Sequence, residues 1–168
     1  MNKHNLLELS FDELKDFCLS LSLPNYKSKQ IWNWIYCFGF SSFENMTNLG
    51  KSTRVLLYEN SYIYRPVIEN VQKSIDGTIK WLIKLEDNSL IETVFIPQGK
   101  RGTVCLSSQV GCTLNCSFCY TGTQKLVRDL KSYEILSQLL VVMDYLNDWP
   151  SGKKNRNVTN IVMMGMGE

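Results

Sequence analysis

Apolar positions at the start of the chain recur at helical spacing. Leu14, Phe17, Cys18 and Leu21 stand at i, i+3, i+4 and i+7, one stripe of a helix. Ser10 and Glu13 precede that stripe at capping-box spacing, and Pro24 stops it. A second stripe, Ile31, Trp34, Ile35 and Phe38, ends at Gly39, a C-terminal cap. A third short helix spans Ser52 to Tyr58 and carries Val55 and Leu56. Helices this short need partners to bury their faces, so residues 1–60 read as a small helical accessory domain.

From Pro66 the period changes from helical to alternating. Val67–Val71 leads into Asp76-Gly77, a hairpin turn. Ile79, Trp81, Ile83 and Leu85 then share one face of a strand, and Leu90, Glu92, Val94 and Ile96 one face of the next. Residues 61–98 therefore read as an antiparallel strand meander, followed by a strand over Thr103–Ser107. Ser132 caps a helix bearing Ile135, Leu139, Val142, Met143 and Leu146. After a polar loop, Val158–Met164 resembles a strand buried on both faces, as parallel strands are. Strand, helix and strand make one βαβ unit within residues 99–168, and the fold class is α/β.

Composition adds little beyond exclusion. Eighteen basic against sixteen acidic residues give a net charge of +2, which does not mark a nucleic-acid binder. Lys125, Arg128 and Lys131, and then Lys153, Lys154 and Arg156, read as solvated loop faces. The N-terminus lacks the apolar stretch of a signal peptide, and no apolar run approaches the ~18 residues of a membrane span. The expected location is the cytoplasm, where six cysteines imply metal or redox chemistry rather than a disulfide framework. Cys18 and Cys37 sit at helical apolar positions and read as core residues.

The other cysteines carry the chemistry. Cys112, Cys116 and Cys119 are spaced Cys-x3-Cys-x2-Cys. Those steps reach at most ~13 Å, so the loop can curl around one compact object. Thiolates suit iron–sulfur clusters and zinc. Three ligands on a [4Fe-4S] cube leave one iron open for a substrate or cofactor. A zinc site needs a fourth ligand, for which Cys105 is available while His4 is remote. Both readings stand on spacing. Further on, Gly165 and Gly167 follow the last strand and permit a backbone turn close to a ligand, where Glu168 can accept a hydrogen bond from an ammonium group.

The cysteine spacing, with Phe118 before the third cysteine, resembles the signature of the radical S-adenosylmethionine (SAM) superfamily. Gly165, Gly167 and Glu168 resemble the motif by which those enzymes hold the methionine amino group. More narrowly, Cys105-Leu-Ser-Ser-Gln-Val-Gly-Cys112, Thr121-Gly122, Arg128 with Leu130, and Met163 to Glu168 look like the bacterial RlmN-type methyltransferases. Lys29-Gln30-Ile31, Trp34-Ile35-Tyr36 and Met46-Thr47-Asn48-Leu49 extend the likeness into the helical region.

The resemblance implies an incomplete radical-SAM partial barrel holding a [4Fe-4S] cluster on Cys112, Cys116 and Cys119, with SAM at Phe118, Gly165, Gly167 and Glu168. It implies methylation of adenine carbon 2 in 23S ribosomal RNA and in transfer RNA, with an external electron donor of the reductase or flavodoxin class. That carbon is electrophilic, so ordinary SAM methylation has no nucleophile to use. The family instead methylates a cysteine near the C-terminus, turns that methyl into a carbon radical, and resolves the RNA adduct through a transient disulfide. Cys105 matches the resolving cysteine, and its alternative is a small buried strand residue. Glu92 matches the family's proton acceptor. Among Leu90, Val94 and Ile96 it reads as a desolvated base, or else as a surface carboxylate at a strand edge.

Tyr120, Lys125 and Asp129 depart from the family's usual serine, glycine and asparagine, in the loop after the cysteines. The family continues past Glu168 with further βα units and the methyl-carrying cysteine, so the expectation is a truncated product or fragment, inactive alone. A complementing chain for the rest is not identifiable from sequence. The rival readings are a non-catalytic RNA-contacting module and a zinc-stabilised module using Cys105, Cys112, Cys116 and Cys119.

Overall fold

The computed structural model describes residues 3–114, 116 and 119–167. They divide into two compact units, Met1–Arg65 with Trp149–Lys154, and Pro66–Asp148 with Asn155–Glu168. This differs from a three-part division at 60 and 98. The meander and the later strand pair in a single sheet, and a short segment of the late polar loop packs with the helices.

The first unit holds strand β1 (His4–Asn5), helices α1 (Phe11–Ser20), α2 (Tyr26–Tyr36) and α3 (Lys51–Asn60), and strand β2 (Ser61–Tyr62), which pairs parallel with β1. The capping box forms as expected. Glu13 N–H donates to Ser10 Oγ at 3.3 Å, and Ser10 N–H donates to Glu13 Oε2 at 2.7 Å. Leu14 and Cys18 of α1, Ile31 and Ile35 of α2, and Leu57 of α3 are buried. Burial pushes the Cys18 thiol up to about 11, so it is an inert core group. The outer parts of the expected stripes are more open. Phe38 is exposed, and α3 buries Thr53 and Leu57 while Val55 faces solvent. Gly39, at φ +77°, is obligatory because the Trp149 ring fills the space a Cβ would need.

The second unit is built on strands β3 (Val67–Lys73), β4 (Ile79–Lys84), β5 (Leu90–Gln98), β6 (Arg101–Cys105) and, after a helix, β9 (Asn160–Val162). They form one sheet in the order β3-β4-β5-β6-β9, antiparallel except for the parallel β6–β9 pair. Between them lie the short antiparallel pair β7 (Gln109–Val110) and β8 (Arg128–Asp129), then helix α4 (Ser132–Tyr145). Trp81, Ile83, Ile91, Phe95 and Val104 share a core with Val141 and Val142 of α4, and the Trp81 ring meets the Tyr145 ring edge-on at 5.3 Å. The two alternations in β4 and β5 were readable, but in β5 the buried set is Ile91, Thr93 and Phe95. The set containing Glu92 lies on the other, open face.

Three further expectations change. Val158–Met164 is a three-residue strand, Asn160–Val162, and is not buried on both faces. Among the described residues β9 pairs with β6 alone, leaving Ile161, Met163 and Met164 exposed. Ser132 is the first residue of α4 rather than its cap, and the Glu134 carboxylate accepts the Lys131 N–H at 2.8 Å. The buried face of α4 is wider than the expected stripe. Val142 lies in the core and Ile135, Leu139 and Leu146 pack against it, while Glu134, Ser137, Gln138 and Val141 are buried as well, making the first half polar. Among the described residues no helix is long and apolar enough to cross a membrane.

Candidate active site and cofactor-binding segment

The chemistry-bearing residues gather where β5, β6 and β9 end. In β5–β6, Val94 pairs with Cys105, the last rung of that ladder. Continuing the register would set Ser107 opposite Glu92, but there the chain turns toward β9 instead. Leu106 N–H donates to Val162 O at 2.9 Å, and Gly165 N–H donates back to Leu106 O at 3.0 Å. Ser107 Oγ replaces the missing rung by donating to the Glu92 carbonyl at 2.6 Å.

That departure leaves the Ser107 N–H and C=O buried without strand partners, and buried backbone groups need partners. Gln138 supplies both. Ser107 N–H donates to Gln138 Oε1 at 2.9 Å, and Gln138 Nε2 donates to Ser107 O at 2.9 Å. Thr93 Oγ1 also donates to Gln138 Oε1, at 2.8 Å. Thr93, Ser107 and Gln138 are fully buried. Neither Ser107 nor Gln138 was singled out from the sequence. The available signal was a glutamine between Ile135 and Val142 on a helix otherwise rich in apolar residues.

The glycine turn is attached to the same segment. Met166 N–H donates to Ser107 Oγ at 2.9 Å, and Met166 O accepts the N–H groups of Ser108 at 2.8 Å and Gln109 at 3.1 Å. A Cβ at Gly165 would lie 2.7 Å from Leu106 O and Ser107 Oγ. One at Gly167, at φ +99°, would lie 2.5 Å from Gln109 Cγ. Both glycines are therefore required by close approach to residues 106–109. Phe118 and Glu168 lie outside the described residues.

Glu92 and Cys105 share the open face of the sheet. Glu92 is not a desolvated carboxylate. Its side chain is 37% exposed and pairs with Lys80 Nζ at 2.9 Å, on the face of the sheet opposite the one α4 covers. Cys105 is buried, and that burial raises its thiol, which favours the protonated form.

Cys112, Cys116 and Cys119 follow β7 on a half-buried loop, and all six cysteines are free thiols. Gly111, at φ +79°, starts the loop against the Lys125 carbonyl. Cys119 N–H donates to Cys116 O at 3.1 Å, and Leu114 N–H donates to Cys112 Sγ at 3.5 Å. Among the described residues no three His, Cys, Asp or Glu side chains converge on a metal position, so neither the three-thiol nor the four-thiol set is assembled. The donor chemistry nevertheless fits an iron–sulfur cluster. Three accessible soft donors lie on one loop, and one sulfur already accepts a backbone N–H of the kind that tunes such clusters.

Behind the loop, Arg128 is held by two acids. Its guanidinium donates to both Glu134 oxygens at 2.8 Å and to Asp87 at 2.8–2.9 Å. Burial of Glu134 would raise its carboxyl, but the hydrogen bonds from Arg128 and Lys131 outweigh this and hold it below the ordinary range. Arg128 is thus a structural anchor between the β4–β5 turn and α4 rather than a solvated loop charge.

Residues 4–63 match the model of the ribosomal RNA large subunit methyltransferase N-terminal domain. The chain is 47% identical to a dual-specificity RNA methyltransferase RlmN of Rhizorhabdus wittichii, covering 98% of this chain and 42% of the relative. It is 46% identical to the RlmN of Zymomonas mobilis, covering 98% and 43%. A crystal structure of a radical SAM methyltransferase from Sphaerobacter thermophilus matches with TM-score 0.85 and 35% identity, over 98% of this chain and 47% of that one. By fold, the chain is related over nearly its whole length to a radical-SAM methyltransferase. By sequence, the relatives named here are RlmN-type RNA methyltransferases, and the chain spans less than half their length.

Proposed function

We propose that this chain is the cluster- and SAM-binding portion of a radical-SAM methyltransferase acting on carbon 2 of adenine in 23S ribosomal and transfer RNA. The observation that carries this reading is the fastening of the Gly165–Gly167 turn to residues 106–109, directly before the three-cysteine loop. That arrangement fastens a close-approach backbone turn to the segment that leads into the three soft donors. Cys112, Cys116 and Cys119 would hold a [4Fe-4S] cluster, whose chemistry is the reductive cleavage of SAM. Gly165 and Gly167 keep side chains away from the ligand's amino-acid end, with Phe118 and Glu168 completing that pocket in this reading.

Glu92 and Cys105 act from the open face of the sheet. Lys80 orients the Glu92 side chain through their ion pair until substrate takes its place. Cys105 rests as a buried thiol, which protects it from oxidation and stray disulfides until a partner cysteine approaches. In this reading that partner lies in the part of the RlmN-type protein that the chain does not span. The enzyme works in the cytoplasm with an external electron donor. The helical unit contributes RNA contact, for which a groove of about 400 Å³ between Phe43, Lys51, Arg54, Val55 and Tyr58 offers a surface.

Anaerobic reconstitution with iron and sulfide tests the reading directly. The expected result is roughly four irons per chain with charge-transfer absorption. Cys112→Ala, Cys116→Ala and Cys119→Ala should each abolish it, while Cys105→Ala should not. Stoichiometric zinc with no iron uptake would overturn the proposal.

A further inference from the structure

Most of the core under α4 is apolar, yet its end nearest the cysteine loop holds a buried polar network with few free valences. Ser107 Oγ has one proton and gives it to the Glu92 carbonyl. The same oxygen accepts the Met166 N–H. One hydroxyl therefore ties the backbone beside Glu92 to the backbone of the glycine turn. Ser107 cannot shift to break one bond and keep the other, because the Gln138 amide grips its N–H and C=O together. Such a satisfied network costs more to distort than an apolar contact, since any released group stays buried and unpaired.

We infer that Ser107 is a positioning residue for the ligand turn, with Gln138 as its support, setting Gly165–Gly167 in register with the Glu92 backbone. The inference rests on the reading of that turn as the SAM-binding segment. It goes beyond that reading by assigning the turn's position to two buried side chains that touch no ligand. The glycines provide clearance, and the hydroxyl provides location. A turn released from Ser107 would keep the Gly165 N–H and Met166 carbonyl bonds but lose the fixed direction of the Met166 amide.

Backbone amide exchange of the reconstituted chain, followed by NMR with and without millimolar SAM, tests this. Thr93→Val is the comparison variant, because it removes a hydrogen bond from the same network without touching Met166. In Ser107→Ala the Met166 amide should exchange about tenfold faster relative to amides of β4, whereas Thr93→Val should leave it within about twofold. Added SAM should slow exchange over Gly165–Gly167 in the wild-type chain and in Thr93→Val, but much less in Ser107→Ala. Ser107→Cys, which keeps a weaker donor of similar size, should fall between, and it serves if the alanine variant does not fold. Equal effects of Ser107→Ala and Thr93→Val would overturn the inference by reducing Ser107 to general stability. An unchanged Met166 amide in Ser107→Ala would overturn it outright. No SAM effect in the wild-type chain, with the Ser107→Ala acceleration present, would overturn the ligand reading of the turn and the positioning role with it.

Discussion

The two faces of the five-stranded sheet have the same strands and opposite duties. The face under α4 buries Trp81, Ile83, Ile91, Phe95 and Val104, and Gln138 ties up Thr93 and the Ser107 backbone at its end. The opposite face carries the Lys80–Glu92 pair and leaves Leu90 and Ile96 each 41% exposed. One face maintains the fold and the other presents the groups proposed for chemistry. Side chains of one strand alternate between these environments, so a single residue step separates a structural position from a reactive one.

The largest expected effect tests the covered face. Trp81→Ala removes a fully buried indole that packs on Tyr145, and should cost about 3–5 kcal/mol in urea unfolding. Leu90→Ala on the open face should cost less than about 1 kcal/mol. Similar losses at the two sites would erase the distinction between the faces.

Next in size is Arg128→Ala, which strands the 4%-exposed Glu134 carboxylate. The cost should be about 3 kcal/mol, the low end for a broken buried pair because Arg128 itself is partly exposed. The sign with pH follows from the depressed Glu134 carboxyl. Its stabilising contribution is complete above the ordinary glutamate value of 4.5 and is lost as pH falls through the lower folded value. Wild-type stability should therefore drop on acidification from 4.5 down through the folded value, and Arg128→Ala should flatten the drop. Unfolding midpoints measured across that acid range check both.

The same contrast explains what could be read from sequence. Alternation in Ile79–Leu85 and Leu90–Pro97 identified which residues share a face, because a strand's period is fixed at two. It did not identify which face is buried in β5, where both sets are mainly apolar: Ile91, Thr93 and Phe95 against Leu90, Val94 and Ile96. Only the position of α4 decides that, and the apolar stripe of α4 shows only part of its buried face. Its buried Glu134, Ser137 and Gln138 look like solvent residues until the Arg128 and Ser107 partners are seen across the fold. The cysteine loop and the glycine turn were legible because their spacing is local. The hydroxyl joining Ser107 to Met166 was not, since it spans 59 positions of the chain.

The smallest expected effect belongs to the open face itself. Lys80 and Glu92 are 40% and 37% exposed, so water screens their attraction and holding two long side chains together costs entropy. Lys80→Met should change stability by less than about 1 kcal/mol, as should Glu92→Gln. The double variant should give a coupling of only a few tenths of a kcal/mol. Urea unfolding of the four chains supplies the cycle. A near-silent result is what a site residue on an open face requires, because a carboxylate that must release Lys80 to meet substrate cannot also be a stability anchor. A coupling above about 2 kcal/mol would place the pair with Arg128–Glu134 as structure, and would remove the physical basis for assigning Glu92 a proton-transfer role.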